Sequence, residues 1–556
     1  MKKIIKSTFI LMLPLFIASS CSDSFLDENP PSAISADKMD NKLTLQAAVI
    51  GLYQNLSNYY TQSDWQGWVS VWQVGTDIVW PQEIQGVEIP YYNYSLLTST
   101  DAAAARLWAH NYNIIRNANA IIYNIDNTPI SDMTDEEKRV YSAEAKFFRA
   151  YAYNSLVTFY GAVPLITQPI ITPRYDFVRT PLDQVNAQIK TDLLYGVSNL
   201  RDVDGKINSQ SVPEQRITKD VARQLLAKVY LRTNEPALAE AQCDAIINSG
   251  KYSLINARYG VKASNPGDYF SDMFFKGNQR RSQGNKEAIW VLENENPSIV
   301  VNGSSGSPQQ RRVWGGGYHN INGMVPADTL GGRGLSRIRL NNWVLYKLYS
   351  QGDMRNSKYT IHRQHYFNNP ASKYNSIKGL PVPYGQNAQY TLSDGTTVNI
   401  AKSDTLAKIN PYTLKWGAYD PNDVFGFGMW KDFIIMRLGE TYLLKAEAQV
   451  KQGNTSGAAA SINVLRTRAQ APQVSASQMT LDFVLDERAR ELLAEENRRE
   501  ELVRTKTLLQ RVAAHNTDGP SQRQIVGLTA NNLLLPIPLN EIQLNSQAVL
   551  EQNPGY

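Results

Sequence analysis

Residues 446–465, AEAQVKQGNTSGAAASINVL, decide the fold because they repeat the pattern of residues 227–246, AKVYLRTNEPALAEAQCDAI. Small residues let paired helices approach closely, and a turn former ends the first helix of each pair. The spacing is similar to that of tetratricopeptide units, although two Ala-rich amphipathic helices can also match by coincidence. The matching positions are Ala227, Tyr230, Asn234, Ala239, Cys243 and Ile246 in one stretch and Ala446, Gln449, Gly453, Ala458, Ile462 and Leu465 in the other.

Helical patterns on both sides of these pairs define the wider architecture. Between about residues 251 and 431 they give way to short strand-like pieces such as Ala288–Leu292, separated by Gly, Ser, Asn and Pro. We therefore predict a mainly α fold, in which tetratricopeptide-like helix pairs form a scaffold over about 36–250 and 432–515 and carry a large loop-rich insertion with short strands over about 251–431. Apolar spacing and caps predict helices at about 40–60, 101–126, 134–160, 181–200, 217–233, 235–250, 432–452, 455–470 and 481–514.

The N-terminus has the order of a secretory signal. Lysines precede an apolar stretch over 9–17, and small residues then lead to Cys21. A cysteine in that place resembles the cleavage site of bacterial lipoproteins, with ordinary signal cleavage as the alternative. We expect residues 1–20 to be the signal peptide, Cys21 to carry the lipid, and residues 21–35 to form a tether before a domain over 36–556.

Charge and cysteine content exclude several classes of protein. The formal net charge is +5, from 56 basic and 51 acidic residues spread along the chain, so we expect no nucleic-acid partner. Only two cysteines are present, and lipidation of Cys21 leaves Cys243 without a disulfide partner. The apolar surroundings of Cys243 predict a small core residue.

The sequence lacks the common catalytic and metal-binding motifs. It has five histidines and no His-Glu-x-x-His, Gly-x-Ser-x-Gly, Walker or Cys-x-x-Cys pattern. We interpret His362 and His365 as solvated, Gly426–Gly428 as loop geometry, and the mixed-charge run 486–504 as a charged helix with i,i+4 pairs. No metal, cofactor or catalytic residue is expected, although a pair of carboxylates sufficient for a glycosidase cannot be recognised by spacing.

Several segments in a common order resemble the SusD/RagB family of bacterial outer-membrane nutrient-binding lipoproteins. The resemblance covers nearly the whole chain, but residues Ala494, Glu496, Asn497, Arg499, Glu500 and Thr505 depart from the family pattern and put the local packing of their helix in doubt. The matching segments are 21–27, 114–119, 143–151, 159–165, 432–448, 463–469, 487–504, 536–538 and 553–556.

The resemblance implies a helical fold and a binding function without catalysis. Family members bind oligosaccharides or other large nutrients at the cell surface and act as a lid on a SusC-like TonB-dependent transporter. It therefore implies a protein held in the outer membrane by a lipid, palmitate included, and facing the exterior. A surface lipoprotein glycosidase and a peptide-binding or adhesion module are the alternatives.

Sugar binding requires flat apolar faces beside fixed polar groups. The chain has 30 Tyr, 15 Phe and 10 Trp, and two of its stretches, 65–94 and 311–320, interleave aromatic rings with polar residues and glycines. The second stretch, 311–320, contains three consecutive glycines, which allow a ligand to approach the backbone closely. The predicted ligand-binding residues are Trp65, Trp68, Asp77, Trp80, Tyr91, Tyr92, Asn93, Trp314 and Tyr318. Any one of these rings could equally belong to the core.

Overall fold

Helices dominate the computed structural model, which describes residues 39–61, 66–301, 303–304, 306–517, 519 and 523–556. The helices are α1 Lys42–Tyr60, α2 Gly67–Ser70, α3 Ala102–Asn127, α4 Asp135–Tyr160, α5 Leu182–Asn199, α6 Lys219–Arg232, α7 Pro236–Ile247, α8 Tyr269–Asp272, α9 Gln310–Trp314, α10 Asn342–Tyr346, α11 Lys402–Lys408, α12 Leu438–Lys451, α13 Thr455–Arg468, α14 Leu481–Glu491, α15 Arg498–Arg504, α16 Leu508–His515 and α17 Leu539–Leu544. The strands are β1 Val79–Pro81, β2 Lys206–Ile207, β3 Gln210–Ser211, β4 Ala288–Leu292, β5 Ile338–Leu340, β6 Ile361–His362, β7 Ala388–Thr391, β8 Thr397–Ile400, β9 Tyr412–Thr413 and β10 Phe433–Arg437.

The long helices form one continuous stack. From α3 to α7, consecutive helices pack on each other. α7 then packs on α12, and α12 packs on α13. The two repeated helix pairs, α6–α7 and α12–α13, are therefore neighbours in space although a long segment separates them in sequence. This architecture confirms the predicted mainly α fold with paired helices supporting a strand-poor remainder.

Close packing explains the repeated small and apolar positions. Asn234 and Gly453, at equivalent positions in the two turns, have φ angles of 61° and 77°. Glycine adopts this left-handed conformation without steric cost, and asparagine tolerates it better than most residues. The repeated residues that are fully buried are Ala227, Ala239, Cys243, Ile246, Ala446, Ala458, Ile462 and Leu465.

The segment 432–452 is a strand followed by a helix, which corrects the prediction of one continuous helix. Residues of β10 pair antiparallel with β4, and α12 begins directly after the strand at Leu438. The local sequence Phe-Ile-Ile-Met-Arg favours a strand because β-branched and long apolar residues suit a half-buried sheet.

The charged run 486–504 is not one helix, so that interpretation was wrong. Helix α14 ends within this run at Glu491, and α15 begins at Arg498. Ala494 between them has a φ angle of 67°. Its charged side chains are largely buried in ion pairs with residues distant in sequence. Arg504, for example, donates to Glu447 at 2.6 Å, and Arg488 donates to Glu440 at 2.9 Å.

The middle of the chain has a hydrophobic cluster of its own, built from residues between Tyr318 and Tyr412 and bordered by two-stranded ribbons. His365 is buried in this region beside His362, with ring centroids 4.5 Å apart, so the expectation of solvated histidines was wrong. Burial lowers the pKa of both imidazoles. The predicted limits of the insertion, 251–431, stay a prediction.

The signal segment, Cys21 and the proline tether lie outside the described residues. Among the helices that the structure describes, none combines the length and apolarity needed to cross a bilayer.

Candidate functional site

The two aromatic stretches predicted to bind ligand lie side by side. Nε2 of Gln66, in the first stretch, donates a hydrogen bond at 3.0 Å to Oε1 of Gln309, which lies next to the second stretch. Trp80 on β1 lies opposite Arg339 on β5 in an antiparallel ribbon. The backbone amide of Leu335 donates to the carbonyl of Arg312 at 3.0 Å, which connects α9 to the segment leading into that ribbon. Both stretches therefore form one region of the molecule.

An inner cavity of about 200 Å³ opens at this junction. Its walls combine apolar ring faces with amides and charged groups, a mixture that can hold both faces of a sugar. We call it the inner cavity. The principal lining residues are Tyr59, Tyr60, Trp68, Trp72, His110, Lys228, Gln310, Trp314, Trp416, Glu496, Asn497 and Glu500.

Burial changes the protonation of two groups in the inner cavity. It raises the pKa of the Glu500 carboxyl to about 7, and Lys228, which opposes that rise, is too weak to cancel it. Burial, together with the charge of nearby Arg106, lowers the pKa of His110 to about 4. His110 also stacks on Tyr59, with ring centroids 4.4 Å apart. At neutral pH His110 is uncharged, whereas Glu500 exists in both forms.

Most positions that depart from the family pattern line this cavity. Ala494, Glu496, Asn497 and Glu500 are wall residues, and the carbonyl of Ala494 accepts a hydrogen bond from Nε1 of Trp416 at 2.7 Å. The unusual local sequence therefore has a definite packing arrangement. Substitutions here change the shape and charge of the cavity.

A second surface lies on the other side of α9. Phe425 and Phe427 are 56% and 62% exposed. The guanidinium carbon of Arg312 lies 4.5 Å from the centroid of the Phe427 ring, and that of Arg333 lies 5.5 Å from it. Nη1 of Arg333 also donates to the carbonyl of Phe425 at 2.5 Å. We call Arg311, Arg312, Arg333, Arg337, Phe425 and Phe427 the outer surface.

Two of the predicted ligand-binding residues line the inner cavity. Trp68 is half-buried with the Arg106 guanidinium 4.5 Å from its ring centroid, and Trp314 is only 4% exposed but contributes to the cavity wall. Trp80 is mostly buried under Arg339, at 5.3 Å. Trp65 lies outside the described residues.

The other predicted site residues lie in packed surroundings. Tyr91 is fully buried and donates to Asp101 at 2.8 Å, and Tyr318 is fully buried and donates to the carbonyl of Gly332 at 2.7 Å. Tyr92 is mostly buried, whereas Asn93 is half-buried. Ligand contact by any of these four stays a prediction.

Asp77 is fully buried and accepts hydrogen bonds from two arginines. Arg498 and Arg511 approach its carboxylate at 2.7 and 2.9 Å. Burial alone would raise the pKa of this carboxyl, but the two guanidinium groups hold it well below its usual range. Its structural partners are therefore clear, and its predicted contact with a ligand stays untested.

The sequence interpretation missed the exposed rings of Phe425 and Phe427. The segment around them was interpreted only as loop geometry, and the available signal was two rings spaced around a glycine in a segment without helical or strand periodicity. Arg333 and Arg337 were also missed, because they come from a different part of the chain than Arg312.

Residues of the types that bind metal ions lie close together at one place in the described part of the chain. Carboxylate oxygens of Asp482 and Asp486 and a ring nitrogen of His515 lie within 4.8 Å of one another. Arg511 donates to Asp482 at 2.7 Å and forms an ion pair with Asp486 at 2.7 Å. The guanidinium already supplies the positive charge that a metal ion would bring, so we do not assign a metal site to these three residues.

Known proteins resemble this chain in both sequence and fold. The model of the SusD family matches residues 286–556, and a model described as starch-binding associating with outer membrane matches residues 24–231. A SusD-like protein, P25, of Formosa agariphila is 25% identical over 596 aligned positions, covering 99% of each chain.

Solved structures extend the agreement to the fold. A laminarin-binding SusD-like protein superposes with a TM-score of 0.67 at 21% identity, covering 93% of this chain and 100% of the other. Surface glycan-binding protein A from Bacteroides fluxus gives 0.66 at 20% identity, covering 93% and 99%. Since the two family models together span most of the chain and the fold agrees, the chain belongs to the SusD/RagB family.

Proposed function

We propose that the protein binds an oligosaccharide or polysaccharide at the cell surface and delivers it, as a lid subunit, to a SusC-like TonB-dependent transporter. The observation that carries this proposal is the meeting of the two aromatic stretches, which brings ring faces, amides and guanidinium groups together around α9. Rings of this kind cover the C–H faces of sugars, and fixed amides and guanidinium groups bond hydroxyls. The glycan-binding names of related solved structures support the same class of ligand.

A gel assay tests the binding step. We expect the purified full-length protein to be retarded in native gels containing one polysaccharide of a panel, without forming new reducing ends in the same mixture. New reducing ends would instead support the glycosidase alternative. Retardation by none of the polysaccharides would contradict glycan binding and direct the search to peptides.

A matched pair of aromatic variants locates the binding region. Phe427→Ala should raise the Kd for that polysaccharide about three- to tenfold, because it removes an exposed ring face. Tyr123→Ala is the control, since Tyr123 is an exposed ring of α3 outside the outer surface. Equal Kd values for both variants would place the glycan elsewhere.

The cellular part of the proposal concerns the anchor and the transporter. We propose that a lipid on Cys21 holds the protein at the outer face of the outer membrane, with residues 21–35 as a tether. One acyl chain gives marginal membrane binding, so further acyl chains or the transporter interface must add to it. Cys21→Ser should leave the protein outside the membrane fraction while it still binds glycan, and the lipidated protein should co-purify with a TonB-dependent transporter. Recovery of Cys21→Ser in the membrane fraction would contradict the anchor.

A further inference from the structure

The arginines of the outer surface surround an exposed aromatic ring. Arg312 and Arg333 both approach the face of Phe427, and Arg337 extends the group toward the first aromatic stretch by donating to Oε1 of Gln66 at 3.0 Å. Each of these guanidinium groups is held by carbonyl or amide oxygens. The surface therefore presents several fixed positive charges around one apolar ring.

No carboxylate forms an ion pair with this group among the described residues, although Asp420 and Asp423 oppose the lowering of the Arg311 pKa and Glu83 and Glu88 oppose that of Arg337. Within the residues that the structure describes, Arg311, Arg312, Arg333 and Arg337 have no acidic side chain at ion-pair distance. Arg311 instead donates to the carbonyls of Ala418 and Gly426, at 2.6 and 2.7 Å. Of the four, Arg333 and Arg337 are half-buried and can be reached by a ligand, whereas Arg311 and Arg312 are buried.

The arginines also repel one another. Burial, together with the charges of Arg333, Arg337 and Arg311, lowers the pKa of Arg312 to about 10. His319 next to them has its pKa lowered to about 4, by burial and by Arg333, Arg312 and Arg311. Like charges held together in this way are stabilised when an anion binds between them.

Hydrogen-bond donors exceed acceptors at the same place. The Nε atoms of Arg311, Arg312 and Arg333 are buried and have no hydrogen-bond partner among the described atoms. Guanidinium groups bind carboxylates and sulfate-like oxyanions through parallel N–H···O bonds, which are shorter and stronger than neutral hydrogen bonds. Arg333 and Arg337 are half-buried, so part of each side chain remains within reach of the oxygen-rich groups of an acidic sugar.

We infer that the outer surface selects an anionic glycan, in which a sugar ring packs on Phe427 while its sulfate or carboxylate group binds Arg333. This inference rests on the proposed glycan-binding function and narrows it to a charged substrate class. The neighbouring Arg337 then contacts the next charged group or a hydroxyl along the same chain.

Matched polysaccharides test the inference directly. The purified full-length protein is titrated with a sulfated polysaccharide and its desulfated form, and with a polyuronate and its carboxyl-reduced form. We expect at least one charged member to bind about tenfold more tightly than its neutral counterpart, and its Kd to rise with added NaCl because salt screens exposed charges. The member that binds distinguishes sulfate from carboxylate.

Two arginine variants and one control locate the charged contact. Arg333→Gln should raise the Kd for the charged polymer about tenfold and leave the Kd for a neutral polymer unchanged. Arg337→Gln, also half-buried, provides a second test in case Arg333→Gln fails to fold. Arg116→Gln is the matched control, because Arg116 is exposed and hydrogen-bonds only the neighbouring Asn113 in α3.

The possible failures are distinguishable. Tighter binding of the neutral members would overturn the anionic class and leave the proposed glycan-binding function standing. Retardation by no glycan of either kind would overturn both. Competition by single-stranded DNA as strong as that by the charged glycan would show that the surface binds phosphate polymers in general, which also contradicts selection of a glycan.

Discussion

Arginines of this protein occur in two settings that differ in their partners. In the first, Arg355, Arg437 and Arg468 converge on the carboxylate of Glu491 inside the scaffold. We call these residues, with Glu287 and Glu487, the inner network. In the second setting, the arginines of the outer surface contact carbonyls, amides and a phenylalanine ring. The comparison teaches that the same side chain serves packing where a carboxylate faces it and, under the inference above, serves recognition where none does.

The inner network connects elements that are distant in sequence. Arg437 at the end of β10 bonds Glu287 before β4 at 2.7 Å and Glu491 at 2.6 Å. Arg355 bonds Glu487 at 2.8 Å. Because every member is buried, the removal of one charge leaves the others uncompensated in a region that water does not reach.

The largest predicted effect comes from breaking the inner network. Glu491→Gln should lower the free energy of unfolding by about 3–5 kcal/mol, since three guanidinium groups lose their shared partner. Urea denaturation at pH 7 measures it, with Glu136→Gln, an exposed glutamate of α4, as the control. A loss below about 1 kcal/mol would mean that these arginines resemble those of the outer surface in their contribution to stability.

A second prediction concerns the effect of low pH on the ion pairs of Asp77, where two arginines hold the carboxyl pKa below its usual range. A lowered folded-state pKa adds stability that is complete above the unfolded value of about 4 and is lost as the pH falls further toward the folded value. Asp77→Asn should therefore cost about 2–3 kcal/mol at pH 7 and less at pH 3. Denaturant titrations at both pH values measure this difference, and an equal cost at both would contradict the electrostatic explanation.

The ionised carboxylate of Glu500 should have the opposite effect on stability from that of Asp77. Its folded-state pKa is raised to about 7 by burial, so the ionised form is disfavoured in the folded protein and the carboxyl destabilises it at high pH. Glu500→Gln should therefore increase the free energy of unfolding by about 1–2 kcal/mol at pH 8 and have no effect at pH 4, below the unfolded value. Unfolding curves of both proteins at the two pH values provide the measurement. A destabilised variant at pH 8 would show that the carboxylate has a partner in the inner cavity.

The smallest predicted effect on stability is at the outer surface. Arg333→Gln should change the free energy of unfolding by less than about 0.5 kcal/mol, because this half-buried residue has no carboxylate partner among the described side chains. Thermal unfolding measured beside the binding titration separates the two roles. A large loss of stability would remove the distinction between the two settings.

The helix pairs could be predicted from sequence because close packing requires small residues at regular spacing, as at Ala227 and Ala446. The break after Glu491 could not, because the left-handed conformation of Ala494 is held by tertiary contact with Trp416. Helical spacing alone continues smoothly through this charged run.

The candidate site was predicted in part. The two aromatic stretches do meet, which the sequence analysis did not predict, but most of their described rings face the core. The outer surface depends on Phe427 meeting Arg312 and Arg333 from other parts of the chain, and no local pattern records such a contact. Exposure of a ring is a property of the folded molecule, so ring counts alone could not separate Phe427 from Tyr91.

The helix stack has a consequence for how the chain acquires its fold. α7 ends at Ile247, but its packing partner α12 begins only at Leu438, after the whole middle region. During synthesis from the N-terminus, the apolar face of α7 must wait for α12, and contacts between such distant segments form slowly. The unfinished stack is therefore the stage most exposed to aggregation, and the folding of the two halves is coupled through a helix that is made late.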